Sequence, residues 1–354
     1  TIALLAFSRH PMNHNFLNLH EFLLHSESEF KLFELGRQIR TLDPDELQRF
    51  ESSRHPWPWP YLQQAWLGLV FWGKHDNQAP QVWCMRFPLD EQGLLPPDQL
   101  NLFIAKLKGA IAENLKAARE GTKLRALLDG NPFSFDLSDD RKAAFHAIIK
   151  TELNLAPSDF YAPALNYFQN LAGSTDGWEQ VGLQGIADIC ARSTEPETER
   201  ILQLALPLLP DAPLYCVCQC LEHQFIGEAL AAALSKIISS HRNDAPKIAS
   251  ALRAMSLSPA SDLRQQDILA ILRSDISSNA EILTTLATRC NADLKHETLT
   301  LPYLEALAQL PAAAFKRIMT EILFQPGMRQ AFMQAFRAPE RSEKLAAAIG
   351  ALLN

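Results

Sequence analysis

What this sequence lacks narrows the field first. It contains no run of eighteen apolar residues, so no segment reads as a transmembrane helix. It has no basic excess. Residues 1–176 carry 17 basic and 21 acidic side chains, the remainder 16 and 19, so the net charge of -7 is shared almost evenly. Neither half is a basic module, which argues against general nucleic-acid binding. A Gly-rich phosphate loop, a Gly-x-Ser-x-Gly elbow and a Cys-x-x-Cys pair are all missing, and with them the plainest signatures of nucleotide binding, acyl transfer and thiol redox chemistry. Cysteine is scarce. Six in 354 residues do not make a secreted disulfide framework, and reduced thiols buried as small apolar groups in a cytoplasmic protein are expected instead. The opening Thr1 to Phe7 has no positive n-region and no cleavage site, so it does not read as a signal peptide. Residues 1–11 read as an upstream extension before a natural start at Met12.

What is present is a globular balance, 47% apolar and 21% charged, in a length that suits two ordinary domains. Over residues 12–175 the signals are mixed. Phe16, Leu17, Leu19, Phe22, Leu23 and Leu24 recur at helical spacing over about residues 15–25. Phe30 to Leu35 and Arg37 to Leu42 read as short strands joined at Gly36. Asp43-Pro44-Asp45-Glu46 predicts a helix start with a capping box. Trp66 to Trp72 and Gln81 to Phe87 predict a hairpin with a long polar loop. Leu100, Phe103, Ile104, Leu107, Ile111 and Leu115 then mark one face of a long helix. Ser138 is placed to cap the next.

Over residues 176–354 no strand signal is convincing. Apolar-periodic segments of about a dozen residues alternate with breaks near Ser193-Thr194, Pro210-Asp211, Gly227, Asn243-Asp244, Ser258-Pro259, Asn279, Pro311 and Pro326-Gly327. Helices this short cannot bury a stripe alone, but stacked antiparallel pairs can. The expected architecture is an α+β N-terminal domain with a small antiparallel sheet, followed by an all-α region that resembles a HEAT-like solenoid. A compact helical bundle is the alternative.

Candidate chemistry is sparse. His20 and His25 are five residues apart, a rotation of about 500°, so their rings diverge and a zinc-protease helix is not formed. Cys216, Cys220 and His223 share a face at i, i+4 and i+7 and are a weak metal candidate without a fourth ligand. No cofactor is implied. Lys106, Lys108, Lys116, Arg119, Lys123 and Arg125 form the one basic concentration. It reads as a solvated helix face or, alternatively, as a docking patch for an acidic partner or RNA. Trp57 and Trp59, held between prolines, either pack in their own domain or present rings to a partner.

Asp90 and Glu91 are the most enzyme-like pair. Adjacent carboxylates on a tight turn point apart, which suits acid–base catalysis poorly. Asp90-Glu91-Gln92-Gly93 fits a type I turn, on which a partner could meet Arg86, Asp90 and Glu91. A metal-assisted hydrolase would need these carboxylates to converge with a distant histidine such as His146.

Leu89-Asp90-Glu91 also carries a resemblance. With Phe30 to Arg37 and Gly182 to Asp188, it resembles an uncharacterised bacterial family of similar chain length, a domain of unknown function with a Leu-Asp-Glu motif. That resemblance implies a soluble bacterial protein and assigns no catalytic role. The expectation is a non-enzymatic interaction or scaffold protein that uses its helical-repeat surface to bind an unknown protein partner, independent of membranes, its oligomeric state left open by the sequence.

Overall fold

A computed structural model describes residues 16–25, 28–73, 80–120, 128 and 130–353, apart from the side chains of residues 115–120. The expected extension over residues 1–11, the hairpin loop at 74–79, and the side chains of Lys116, Arg119, Lys123 and Arg125 lie outside the described residues. By its contacts the chain divides into two units. One is Thr1–Leu137 with Phe324–Pro326, the other Ser138–Leu323 with Gly327–Asn354. The composition change at 175/176 falls within the second unit.

In the first unit, α1 (Leu19–Leu24) begins where the Asn18 side chain accepts the Glu21 N–H at 2.7 Å. The strands β1 (Ser28–Glu34) and β2 (Arg40–Leu42) follow. Next comes α2 (Pro44–Glu51), with Pro44 in its first turn and Asp43 accepting from the Asp45 N–H at 2.9 Å. The predicted capping box is only half formed, because Glu46 pairs with Arg49 at 3.0 Å instead of reaching back. A hairpin of β3 (Gln64–Gly73) and β4 (Gln81–Pro88) completes a four-stranded antiparallel sheet in the order β2-β1-β3-β4. The long helix α3 spans Pro97–Glu120.

The register pairs Leu32 with Leu69, Leu67 with Met85, and Ala65 with Phe87. The period of two collects these side chains on one face of the sheet. There they meet Phe22 of α1, Phe50 of α2 and Phe103 and Leu107 of α3 in one core.

The second unit is helical throughout its described residues. It comprises α4 (Asp139–Glu152), α5 (Tyr161–Asn170), α6 (Leu183–Cys190), α7 (Pro196–Ala205), α8 (Asp211–Leu221), α9 (Glu228–Ser240) and α10 (Ala245–Met255). It continues with α11 (Ser261–Leu272), α12 (Ala280–Arg289), α13 (Glu297–Leu307), α14 (Ala312–Leu323), α15 (Met328–Ala335) and α16 (Glu343–Leu353). Three single 3-10 turns lie between them, at Trp178–Gln180, Leu206–Leu208 and Asp293–Lys295. Each break predicted from proline, glycine, asparagine or serine falls between two of these helices. Ser138 precedes α4 as expected but makes no side-chain cap; its carbonyl accepts from the Lys142 N–H at 2.8 Å.

Each helix of this unit packs against the one two further along. The even-numbered helices α4 to α16 make one row of neighbours, and the odd-numbered α5 to α15 make another. Small residues set the spacing. A Cβ on Gly185 of α6 would stand 2.3 Å from the Phe160 carbonyl oxygen and 2.8 Å from the Ala164 Cβ of α5, so only glycine admits this approach. Buried thiols link neighbours within a row. Cys190 donates to the Val217 carbonyl at 3.8 Å, and Cys290 donates to the Leu252 carbonyl at 3.7 Å.

Candidate functional site

The Leu-Asp-Glu segment is a turn. The Asp90 carbonyl accepts from the Gly93 N–H at 2.9 Å, and Gly93 adopts φ +80°, a conformation that favours glycine. The Asp90 Oδ1 accepts from the Gln92 N–H at 2.9 Å and the Leu94 N–H at 2.8 Å. The Gly93 carbonyl in turn accepts the Trp57 N–H at 2.8 Å, tying the turn to the proline-tryptophan segment. Asp90 is therefore occupied by main chain, while Glu91 and Arg86 are exposed. The Arg86 guanidinium lies 5.6 Å from the centre of the Trp66 ring. His146 is exposed on α4, in the other compact unit. Partial burial, helped by the neighbouring Lys150 and Lys142, lowers its pKa.

Trp57 does not present its ring to a partner. It is fully buried, 4.8 Å from Phe50 and 5.8 Å from Trp59 between ring centres. Its local sequence looks extended and exposed because the prolines forbid helix, but the side chain is drawn into the core. Burying a large apolar side chain is worth about 2–3 kcal/mol, which turning it outward would forfeit. Trp59 is half-buried beneath the Arg40 guanidinium, 5.1 Å from its ring centre. Burial lowers the Arg40 pKa, and Glu34 opposes that shift. Lys106 is exposed on α3, and Lys108 lies over the Phe16 ring at 4.9 Å.

The other two segments that carry the family resemblance are joints as well. Gly36 donates its N–H to the buried Glu34 carboxylate, which lies so close that a Cβ on residue 36 would be 2.6 Å from Oε1. Asp188, at the end of the Gly182 to Asp188 segment, is fully buried and accepts from the Ser158 N–H at 2.9 Å and the Ser158 hydroxyl at 2.5 Å. Each of the three segments thus places a carboxylate where it accepts a main-chain N–H.

The densest charged cluster lies in the second unit, where α8, α10 and α12 end. Here the sequence was misleading. The helix α8 stops at Leu221, so His223 stands beyond it and the i, i+4, i+7 face with Cys216 and Cys220 is not completed. Among the described residues, no group of three or more His, Cys, Asp or Glu side chains is arranged to hold a metal ion. Instead Glu222, buried past the end of α8, receives Arg289 of α12 in a two-pronged contact. Arg289 Nε lies 3.0 Å from Oε2, and Nη2 lies 3.2 Å from Oε1. Arg253 of α10 approaches the same carboxylate with Nε 3.3 Å from Oε2. His223 Nε2 lies 3.7 Å from Oε1.

Burial pushes the Glu222 pKa up, but Arg289 and its other cationic neighbours outweigh burial and hold it below the usual range. Burial brings His223 down to about 3, against the pull of Glu222, so the imidazole is neutral at physiological pH. Guanidinium groups at the last turns of α10 and α12 also face the negative ends of those helices, a favourable placement. Sequence reasoning missed Glu222, Arg253 and Arg289. The available signal was a basic residue in the last turn of two successive row helices, but the acidic partner lies 67 positions before Arg289.

These features define a two-unit protein, a four-stranded antiparallel sheet unit and a larger helical one, whose densest charged site joins three helix ends. The chain belongs to the family described as Protein of unknown function (DUF3549), whose model matches residues 14–353. No curated protein and no solved structure matches it.

Proposed function

We propose that the protein is a non-enzymatic interaction protein, an adaptor or scaffold whose helical unit is a HEAT-like array binding another protein. The carrying observation is the two-row packing, in which every helix from α4 to α14 contacts the one two places on. Such rows build an extended surface from short elements, and their binding faces are wide and shallow. Large apolar side chains remain outside on this unit, among them Phe225 at 70% and Leu204 at 61% exposure, and these supply contact area. A bacterial cytoplasm is the setting that fits six cysteines outside any disulfide. No helix among the described residues is long and apolar enough to cross a membrane.

The test is cross-linking in native cells, followed by mass spectrometry of peptides joined to this chain. The reading expects a reproducible protein partner whose cross-links concentrate on residues 138–354. A partner joined only to the sheet unit, or turnover in a substrate screen without any partner, would overturn it.

A further inference from the structure

We infer that the groove between α13 and α15 seats an extended, net-neutral segment of a protein partner and holds it by its main chain. This deepens the array reading above and rests on it.

The groove has a volume of about 590 Å³ and lies within the helical unit. One wall is Thr300 and Leu301 of α13. The other is the face of α15 that carries Gln330, Ala331, Gln334 and Ala335, continued past the helix end by Ala338. Alanine adds little above the helix backbone, so an incoming chain can come within reach of the two exposed amides. Four positions along a helix advance about 6.0 Å. Two residues of an extended chain advance about 6.6 Å. Gln330 and Gln334 are therefore nearly in register with every second peptide unit of a chain laid along α15. A primary amide offers donors and an acceptor, and each peptide unit presents one of each in return. The eight residues of α15 span about 12 Å, so about four residues of an extended chain lie against it.

The polar side chains of the groove are not used by the fold. Lys295, Glu297, Gln330, Gln334, Arg337 and Glu340 line it, and none of their head groups makes a hydrogen bond or ion pair among the described residues. Side chains of the same kinds at the far end of α13 do pair. Ser342 donates to Glu305 through its N–H at 2.7 Å and its hydroxyl at 2.6 Å, and Lys344 donates to Gln309 at 2.8 Å. The charges that line the groove balance, Lys295 and Arg337 against Glu297 and Glu340. A strongly acidic or strongly basic segment therefore meets as much repulsion as attraction, and a net-neutral one is the complementary occupant. Main-chain hydrogen bonds then supply the affinity.

The experiment uses the full chain and a displayed library of random peptides, depleted first on Ala335→Leu, whose larger side chain fills the groove floor. Recovered peptides are made with a fluorophore and read by anisotropy. They are expected to bind wild type with little change as salt rises, and to bind Ala335→Leu far more weakly. Gln330→Ala with Gln334→Ala should weaken binding by about tenfold or more, as for the loss of several hydrogen bonds. That double variant should melt with wild type, because both side chains are exposed, so its loss of binding is not a loss of fold. N-methylation of single main-chain amides along the peptide should abolish binding at every second position and spare the positions between. Recovery of no peptide, equal binding by wild type and the double glutamine variant, affinity that collapses with salt, or indifference to N-methylation would each overturn the assignment. Cross-links from a native partner that gather on the second unit but away from α13 and α15 would sink this inference and leave the array reading standing. An absence of cross-links on that unit would sink the array reading whatever the library yields.

Discussion

Glu51 and Glu222 are both largely buried carboxylates, one in each unit, and they are pushed in opposite directions. Glu51 accepts two main-chain N–H groups at the start of α1, from Leu19 at 2.7 Å and His20 at 3.0 Å. Burial still raises it to about 7, with those two bonds opposing. Glu222 is met by guanidinium groups instead and lies below the usual range. Two amides at a helix start do not offset burial here, whereas a two-pronged arginine with a second arginine beside it does. Carboxylates of the sheet unit close turns and helix starts through the main chain. In the helical unit, Glu222 with Arg289, and Asp293 with Arg264 at 2.8 Å, join one helix to another through side chains.

The largest expected effect comes from breaking the side-chain mode. Arg289→Ala should cost the helical unit about 3–5 kcal/mol, because it strands a buried carboxylate. Urea unfolding followed by far-UV circular dichroism measures it, and adding Glu222→Gln should recover part of the loss. A cost below about 1 kcal/mol, the range of exposed pairs, would mean that the contact is no stronger than a surface one.

Next comes the close approach of α5 and α6. Gly185→Val should destabilise by about 1–3 kcal/mol through overpacking, because the Phe160 carbonyl is backbone and cannot swing aside. An unchanged urea midpoint would show that the helices part freely.

The contrast between the two carboxylates has a pH signature. Glu51 binds its proton more tightly folded than unfolded, so it weakens the sheet unit as pH rises from about 4.5 to about 7. His223 binds its proton less tightly folded, so the helical unit weakens as pH falls from 6.5 towards about 3. Five of the six tryptophans lie between Trp57 and Trp83, so indole fluorescence reports the sheet unit and ellipticity at 222 nm mainly the helices. Between pH 7 and pH 5 the two unfolding midpoints should separate in opposite senses. Glu51→Gln should flatten the fluorescence trend, and His223→Gln the ellipticity trend. Parallel trends in wild type would contradict the assignment.

The smallest effect tests the Leu-Asp-Glu turn. Asp90→Ala should cost about 1 kcal/mol, as for lost local side-chain to main-chain bonds, and Glu91→Ala almost nothing. The fluorescence midpoint decides, and equal losses from the two substitutions would return Glu91 to consideration.

The sequence was most legible where structure is local. Helix breaks in the second unit follow from residues that cannot continue a helix, such as Pro210, Gly227 and Pro311, and the Asp90 turn follows from Asp and Gly at fixed offsets. The β3–β4 hairpin was legible because two β-rich apolar runs flank a polar segment of turn formers. What depended on distant partners was not. Trp57 is buried by Phe50, seven positions away on a different element, and the Pro-Trp-Pro pattern carries no trace of that packing. The break after Leu221 was also missed, because Glu222-His223-Gln224 holds no proline or glycine to announce it. Glu222 with Arg253 and Arg289 is a property of row packing, and each residue alone looks like surface charge.

The buried thiols have one further use. Cys190, Cys218, Cys220 and Cys290 are spread over α6, α8 and the end of α12, and burial pushes Cys218 and Cys290 to about 12. A thiol in that state is almost inert to alkylation until its helix opens. The rate at which each is labelled therefore times local opening along the row, with no added dye. The row carries its own set of clocks, and they would record whether it opens as one body or helix by helix.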